Sequence, residues 1–254
     1  MKLNTLTASL LAVSALAFGS SAHAITVAGV TWNENSIFDF EAKASIYETI
    51  GVEVGDTFGG YGLVTSLNGS ASFCTNCQLT YVFGGFTITD GLDPLNGDTT
   101  FAANGGWLKV YVQSFGAGFT AFDPEVKSTA GDGLLWLDLV AAPVLAGGNT
   151  IAGTATLPND AGLTGAGQGY FNVVGGLAAA YLDTNGEPFG TDLTYTSSFQ
   201  PIGADIVNDG VVVATHSGTN EVNGTTQVPE PATLALLGLG LVGLGLARRS
   251  KKAA

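Results

Sequence analysis

The sequence predicts an all-β protein, a single antiparallel β-sandwich or open barrel, held between two end segments that are not part of the fold. Residues 25–227 contain no long stretch with helical periodicity. They carry instead many short runs rich in Val, Ile, Thr, Tyr and Phe. Gly, Asn and Asp punctuate those runs, and roughly ten of them favour a sandwich or open barrel over a doubly wound sheet.

Each element has its own pattern. Phe38, Phe40, Ala42, Ala44 and Ile46 share one parity, while Asp39, Glu41, Lys43 and Ser45 share the other. Successive side chains of a strand point to opposite faces, so this run has one dry face and one wet face. Leu79, Tyr81 and Phe83 repeat the pattern. In the next run Leu108, Val110 and Val112 alternate with Trp107, Lys109 and Tyr111. Leu134 to Val140 is more continuously apolar, interrupted by Asp138. Later strand candidates are 151–157, 170–174, 178–182, 193–199 and 210–215, with a helical alternative over 175–182. Asn96-Gly97, Asn159-Asp160 and Asn185-Gly186 supply turn chemistry, since Asn and Gly tolerate positive φ. The Gly- and Thr-rich segment 145–169 reads as long loops or an extended edge. The folded body is therefore predicted at 25–216, followed by a polar stalk at 217–227.

Charge narrows the function classes. The 254 residues include 37 glycines, 21 acidic side chains and eight Lys plus Arg, for a formal charge of −13. Within 25–229 only Lys43, Lys109 and Lys127 oppose 20 carboxylates, leaving −17. Such a surface repels nucleic acid. His216 is the one imidazole of the body, because His23 lies in the leader.

Residues 1–24 have the organisation of a secretory signal peptide. Lys2 provides the positive start, Leu10 to Phe18 the apolar run, and Ala22 and Ala24 the small residues of a cleavage site, giving a mature start near Ile25. At the other end, Pro229-Glu230-Pro231 precedes a sixteen-residue apolar and glycine-rich run, Ala232 to Ala247, and then Arg248, Arg249, Lys251 and Lys252. The prolines keep the chain extended. As a helix the run spans roughly 24 Å, and its basic end stays on the cytoplasmic side. Together these features predict a transient membrane stop at the end of an exported chain.

The tripartite tail at 228–254 resembles the PEP-CTERM sorting signal of Gram-negative bacteria. The resemblance rests on Pro229, Glu230 and Pro231, the apolar helix, and the basic end with Arg248 and Arg249. It implies recognition by an exosortase-type membrane enzyme, processing near the motif, and delivery to the cell surface or extracellular matrix. The body also resembles flocculation-associated PEP-CTERM proteins in its early Phe-rich region, Gly59-Gly60-Tyr61-Gly62, the strand at 80–89 and the 132–139 stretch. That resemblance implies a secreted factor that makes cells aggregate within exopolysaccharide.

Few residues offer chemistry. Cys74 and Cys77 are the only thiols, and in an exported chain they are expected as a structural disulfide. No basic residue or helix start favours a redox thiolate there. His216 has Thr215 and Ser217 beside it, but no nucleophile, base and orienting carboxylate are set out by the sequence. Asp183, Asn185 and Glu187 alternate around Gly186 and are weak calcium candidates; Asp90, Asp93, Asn96 and Asp98 form a second oxygen-rich loop. Solvated turns account for both stretches without a metal, and no cofactor is expected. Trp32, Trp107 and Trp136 either fill the core or form contact surfaces for sugars and neighbouring proteins. Asn68 and Asn223 head Asn-x-Ser/Thr patterns.

These readings converge on a noncatalytic exported surface or matrix protein that promotes cell aggregation or biofilm and floc assembly. Its expected partners are the exosortase, and exopolysaccharide or other surface proteins. The alternatives are a carbohydrate-binding module and, further off, an extracellular glycan hydrolase, which needs two carboxylates converging in a concave site.

Overall fold

A computed structural model describes residues 24–37, 39–92, 99–116, 118–157 and 162–228. Among them the fold is all-β and antiparallel, as expected. A short hairpin pairs β1 (Ala24–Val27) with β2 (Val30–Asn33). The main sheet contains β3 (Phe40–Thr49), β4 (Thr57–Leu67), β5 (Cys77–Asp90), β6 (Thr100–Ser114), β7 (Leu134–Ala141), β8 (Ile151–Thr156), β9 (Thr164–Gly175), β10 (Leu193–Asn208) and β11 (Val211–Gly224). Its order is β11-β10-β9-β7-β6-β5-β4-β3, with β8 pairing β6 and β9 beyond the end of β7.

The sheet curls until its edge strands β3 and β11 run side by side. Among the described residues no hydrogen-bonded ladder joins them; an isolated bridge links Asp39 to Gly224, Lys43 Nζ lies 3.6 Å from Glu221 Oε2, and Thr215 Oγ1 donates to Glu48 O at 3.5 Å. This is an open barrel with a polar seam. Inside the seam, Tyr81 OH donates to Ser45 O (2.7 Å) and accepts from Asn220 Nδ2 (2.8 Å), so a β5 side chain reaches across β4 to bind both edges.

Tyr81 can reach that far because Gly62 lies beneath it. A Cβ at Gly62 would overlap Ser45 O and the Tyr81 ring, and one at Gly60 would overlap Tyr47 O and the Phe83 ring. The aromatic side chains of β5 thus cover a glycine groove in β4, which lets the sheet bend tightly while remaining packed. The main core follows the predicted parity: Phe40, Ala42, Ala44 and Ile46 of β3, Leu79, Tyr81 and Phe83 of β5, and Leu108, Val110 and Val112 of β6 all face inward.

Trp32 and Trp136 close one end of the barrel. Their rings meet edge to face at 5.7 Å, with Phe40 and Tyr181 against Trp32 at 5.9 Å each. Burying two indoles here is among the larger apolar contributions in the fold. The Cys74–Cys77 bridge is present, with Cα atoms 5.2 Å apart. It lies under the N-terminal hairpin: Val30 bridges to Cys74, and Thr31 N donates to Phe73 O at 2.7 Å.

The structure corrects three local expectations. The predicted polar stalk 217–227 belongs to the body. Its residues to Gly224 are half of β11, paired with Leu193 to Gln200 of β10. They are polar because they line the seam, where Asn220 is buried and hydrogen-bonded. Beyond the strand, Thr226 N donates to Asp39 Oδ2 (2.7 Å) and Gln227 N to Tyr181 O (2.8 Å), so the chain is tied down two residues before Pro229. Within segment 145–169, expected as long loops or an extended edge, β8 and the first half of β9 lie in the sheet interior, the former where the 151–157 strand was expected. Finally, 178–182 takes the helical alternative, as the single turn α1 (Ala179–Leu182).

Candidate functional site

Trp107 differs from the other two tryptophans. It lies on the outer face of β6 and keeps 36% of its surface exposed, against 2% for Trp32 and 1% for Trp136. Across the sheet it pairs with Gly84 of β5 on one side and Val140 of β7 on the other. Cβ atoms added at Gly84 and Gly85 would meet the indole at 3.5 and 3.0 Å. The ring therefore rests on a shelf of two glycines, whose missing side chains let it lie against the backbone. Lys109 Nζ stands 5.9 Å from the indole centroid and 3.5 Å from Asp138 Oδ2. Val140 and Val174 continue the same outer face, 45% and 59% exposed. The result is a flat aromatic surface flanked by an ion pair, suited to stacking and hydrogen bonding.

A second feature lies on the inward face at the end opposite the tryptophans. Phe83, Phe86, Phe101, Phe171 and Phe199 surround a cavity of about 40 Å³, with Glu48 in its wall. Glu48 is 6% exposed, and its Oε1 is buried without a hydrogen-bond partner. Burial pushes its carboxyl up to about 8, because no cation offsets the loss of solvation. Glu48 continues the parity of Ala44 and Ile46, so the alternation places it inside; the sequence reading stopped that strand at Ile46 and missed it. Nearby, burial raises the Tyr81 and Tyr195 phenols.

The other predicted sites are distributed as follows. His216 is in β11, its Nδ1 2.8 Å from Thr215 Oγ1 and its ring edge-on to Phe199 at 5.9 Å. Burial lowers its pKa, partly opposed by a backbone contact with Leu163 and by Asp205. Asp183, Asn185 and Glu187 sit in a loop organised by a different residue: Asp192 Oδ1 accepts from Thr184 N (2.7 Å) and Asn185 N (2.6 Å), and Oδ2 from Val173 N (2.8 Å). Among the described residues no group of three or more His, Cys, Asp and Glu side chains converges to hold a metal ion. Asp192 is 2% exposed, and the three backbone N–H groups it accepts order the loop. Glu187 is raised by burial and by Asp39.

Of the two Asn-x-Ser/Thr patterns, Asn68 spends its amide on Asn33 O, Asp39 O and Ser36 Oγ, and Asn223 donates to Glu221 Oε1 at 2.9 Å. Ala24 opens β1 opposite Asn33, while Ile25 is buried, so a mature chain starting at Ile25 keeps the hairpin. Ala22, Asp93, Asn96, Asp98, Pro229, Glu230, Pro231, Arg248 and Arg249 lie outside the described residues, as does the predicted sorting helix. Among the described residues no helix is long and apolar enough to cross a membrane.

The body thus ends against its own surface at Gln227, where the motif begins. Residues 227–251 match the PEP-CTERM protein-sorting motif. The protein carries an exosortase sorting signal. That signal marks an exported protein of the Gram-negative cell envelope or surface and makes the exosortase its processing partner. No curated protein and no solved structure matches the chain.

Proposed function

We propose that the barrel of this PEP-CTERM protein is a noncatalytic surface or matrix module that promotes cell aggregation by associating with exopolysaccharide. The observation that supports this reading best is Trp107 on its glycine shelf. An indole held flat and half-open stacks on the apolar face of a sugar ring, and the Lys109–Asp138 pair beside it offers donors and acceptors to hydroxyls. The strongly acidic body adds a second mode, with divalent cations bridging its carboxylates to those of an acidic polymer, which makes association sensitive to salt and chelators.

The second reading, a carbohydrate-binding module without a scaffold role, uses the same Trp107 surface. It predicts saturable binding to one defined glycan. The test is co-sedimentation of the purified chain with exopolysaccharide from the producing cells, comparing wild type with Trp107→Ala. Retention lost in the variant supports the stacking surface. Equal retention of both proteins contradicts it, and retention abolished only by chelator assigns association to the carboxylates.

A further inference from the structure

The outer face that carries Trp107 holds a second group of aromatic rings. Trp107 of β6 stands opposite Val140 of β7, and Val140 opposite Asn172 of β9. Side chains two apart on a strand share a face, so Tyr170 of β9 belongs to the same outer surface. Its ring meets that of Phe189 edge to face, with centroids 5.1 Å apart. Two strand spacings of about 4.8 Å and two residues of about 3.4 Å place this pair roughly 12 Å from Trp107. The exposed Val140 and Asn172 lie between the two platforms.

Phe189 is displayed against the preference of its own backbone. It keeps 66% of its surface exposed, and its φ is 65°, a left-handed conformation that a bulky side chain rarely takes. The turn around it is closed without the ring: Glu187 N donates to Thr191 O (2.8 Å) and Thr191 Oγ1 to Pro188 O (2.8 Å). A glycine at this position would relieve the strain. An aromatic ring held out to solvent by a strained backbone, with no core to fill, is the signature of a contact surface.

We propose that Trp107, Tyr170 and Phe189 together bind one extended, neutral glycan chain whose sugar rings are equatorially linked and equatorially substituted. This rests on the polysaccharide reading of Trp107 and names the class of polymer. Rings of that kind carry C–H groups on both faces, so each lies flat against an aromatic ring. Their chain is straight and meets both platforms at once, since roughly 12 Å along the sheet is the span of about three sugar rings. An α-linked chain curls away from the second platform. The body's charge of −17 repels a polyanion from direct contact, which selects a neutral chain. Between the platforms the Asn172 amide offers a donor and an acceptor to sugar hydroxyls.

The test is isothermal titration of the purified full-length chain, in a detergent without a sugar head group, with β-linked cellohexaose and α-linked maltohexaose as probes. The expected result is saturable binding of cellohexaose to wild type, weakened at least tenfold in Trp107→Ala, Tyr170→Ala and Phe189→Gly, with maltohexaose at least tenfold weaker. Phe189→Gly should keep a thermal midpoint at or above that of wild type, because it removes strain and an exposed ring; loss of contact is then separated from loss of fold. Absence of cellohexaose binding to wild type overturns the proposal, and so does equal binding to wild type and Phe189→Gly. Equal binding of the two hexasaccharides overturns the assignment of an extended chain. Exopolysaccharide retention that is lost in Trp107→Ala but kept in Tyr170→Ala and Phe189→Gly overturns the second platform while leaving the Trp107 reading in place.

Discussion

Replacing Glu48 by Gln removes a titration that the barrel suppresses, and the effect on stability follows from the pKa. In the unfolded chain the carboxyl loses its proton near 4.5, whereas in the fold burial holds it to about 8. Between those values the unfolded state releases a proton that the folded state keeps. Rising pH therefore favours unfolding, by about 1.4 kcal/mol per pH unit. Stability from this group is fully present below 4.5 and is lost progressively up to the folded pKa. From pH 5 to pH 8 the loss is about 3–4 kcal/mol. His216 acts in the opposite sense: its lowered pKa costs stability in acid, and that cost disappears as pH rises through the ordinary histidine range. Comparing wild type with Glu48→Gln cancels the histidine contribution, since both proteins carry it. Urea unfolding at pH 5 and pH 8 is the assay. The variant should gain about 3–4 kcal/mol on wild type between the two pH values. A difference below about 1 kcal/mol would mean that Glu48 is solvated or paired, and that the cavity is not the apolar site described here.

Other perturbations reach the remaining parts of the structure. Trp107→Ala should abolish exopolysaccharide retention while lowering stability by no more than about 2 kcal/mol, because the ring is partly exposed; chemical denaturation beside the co-sedimentation assay separates the two effects. Gly62→Ala should destabilise the barrel by about 1–3 kcal/mol, since the added methyl overlaps Ser45 O and the Tyr81 ring, a loss visible as a lower thermal midpoint. Asp192→Ala leaves three backbone N–H groups without their acceptor and should cost about 2–4 kcal/mol, with amide exchange accelerating first at Thr184 and Asn185. Reducing the Cys74–Cys77 bridge opens a very short loop and should cost about 2 kcal/mol, leaving the far end of the barrel unchanged in exchange rates.

Much of this architecture is legible from alternation, because an inward and an outward face leave period-two patterns in β3, β5 and β6, and β7 shows as a continuous apolar run. The parts that escape have specific causes. β4 is hidden because Gly59, Gly60 and Gly62 interrupt its apolar alternation, where they serve as the groove under Tyr81 and Phe83. The second half of β11 is hidden because a seam strand needs polar side chains such as Asn220, so beyond the expected 210–215 run it resembles a stalk. Trp107, Lys109 and Tyr111 alternate with Leu108, Val110 and Val112, but the pattern leaves open whether the indole fills the core or meets solvent; nor does the sequence show the Gly84–Gly85 shelf, since that depends on the register of β5 against β6. Glu48 was within reach, two residues past Ile46 on the same face. Asp192 was not, because its three partners come from β9 and the 183–187 loop, which only the fold brings together.

The central claim is that an exosortase-sorted barrel holds cells together through its outer surface. The most direct measurement compares cells producing the intact chain, the chain lacking 228–254, and the Trp107→Ala chain, scoring surface delivery, intact mass and cell aggregation together. The account predicts a surface form processed near Glu230 that supports aggregation, loss of both delivery and aggregation without the tail, and normal delivery without aggregation for Trp107→Ala. Normal delivery and aggregation in all three strains would contradict it.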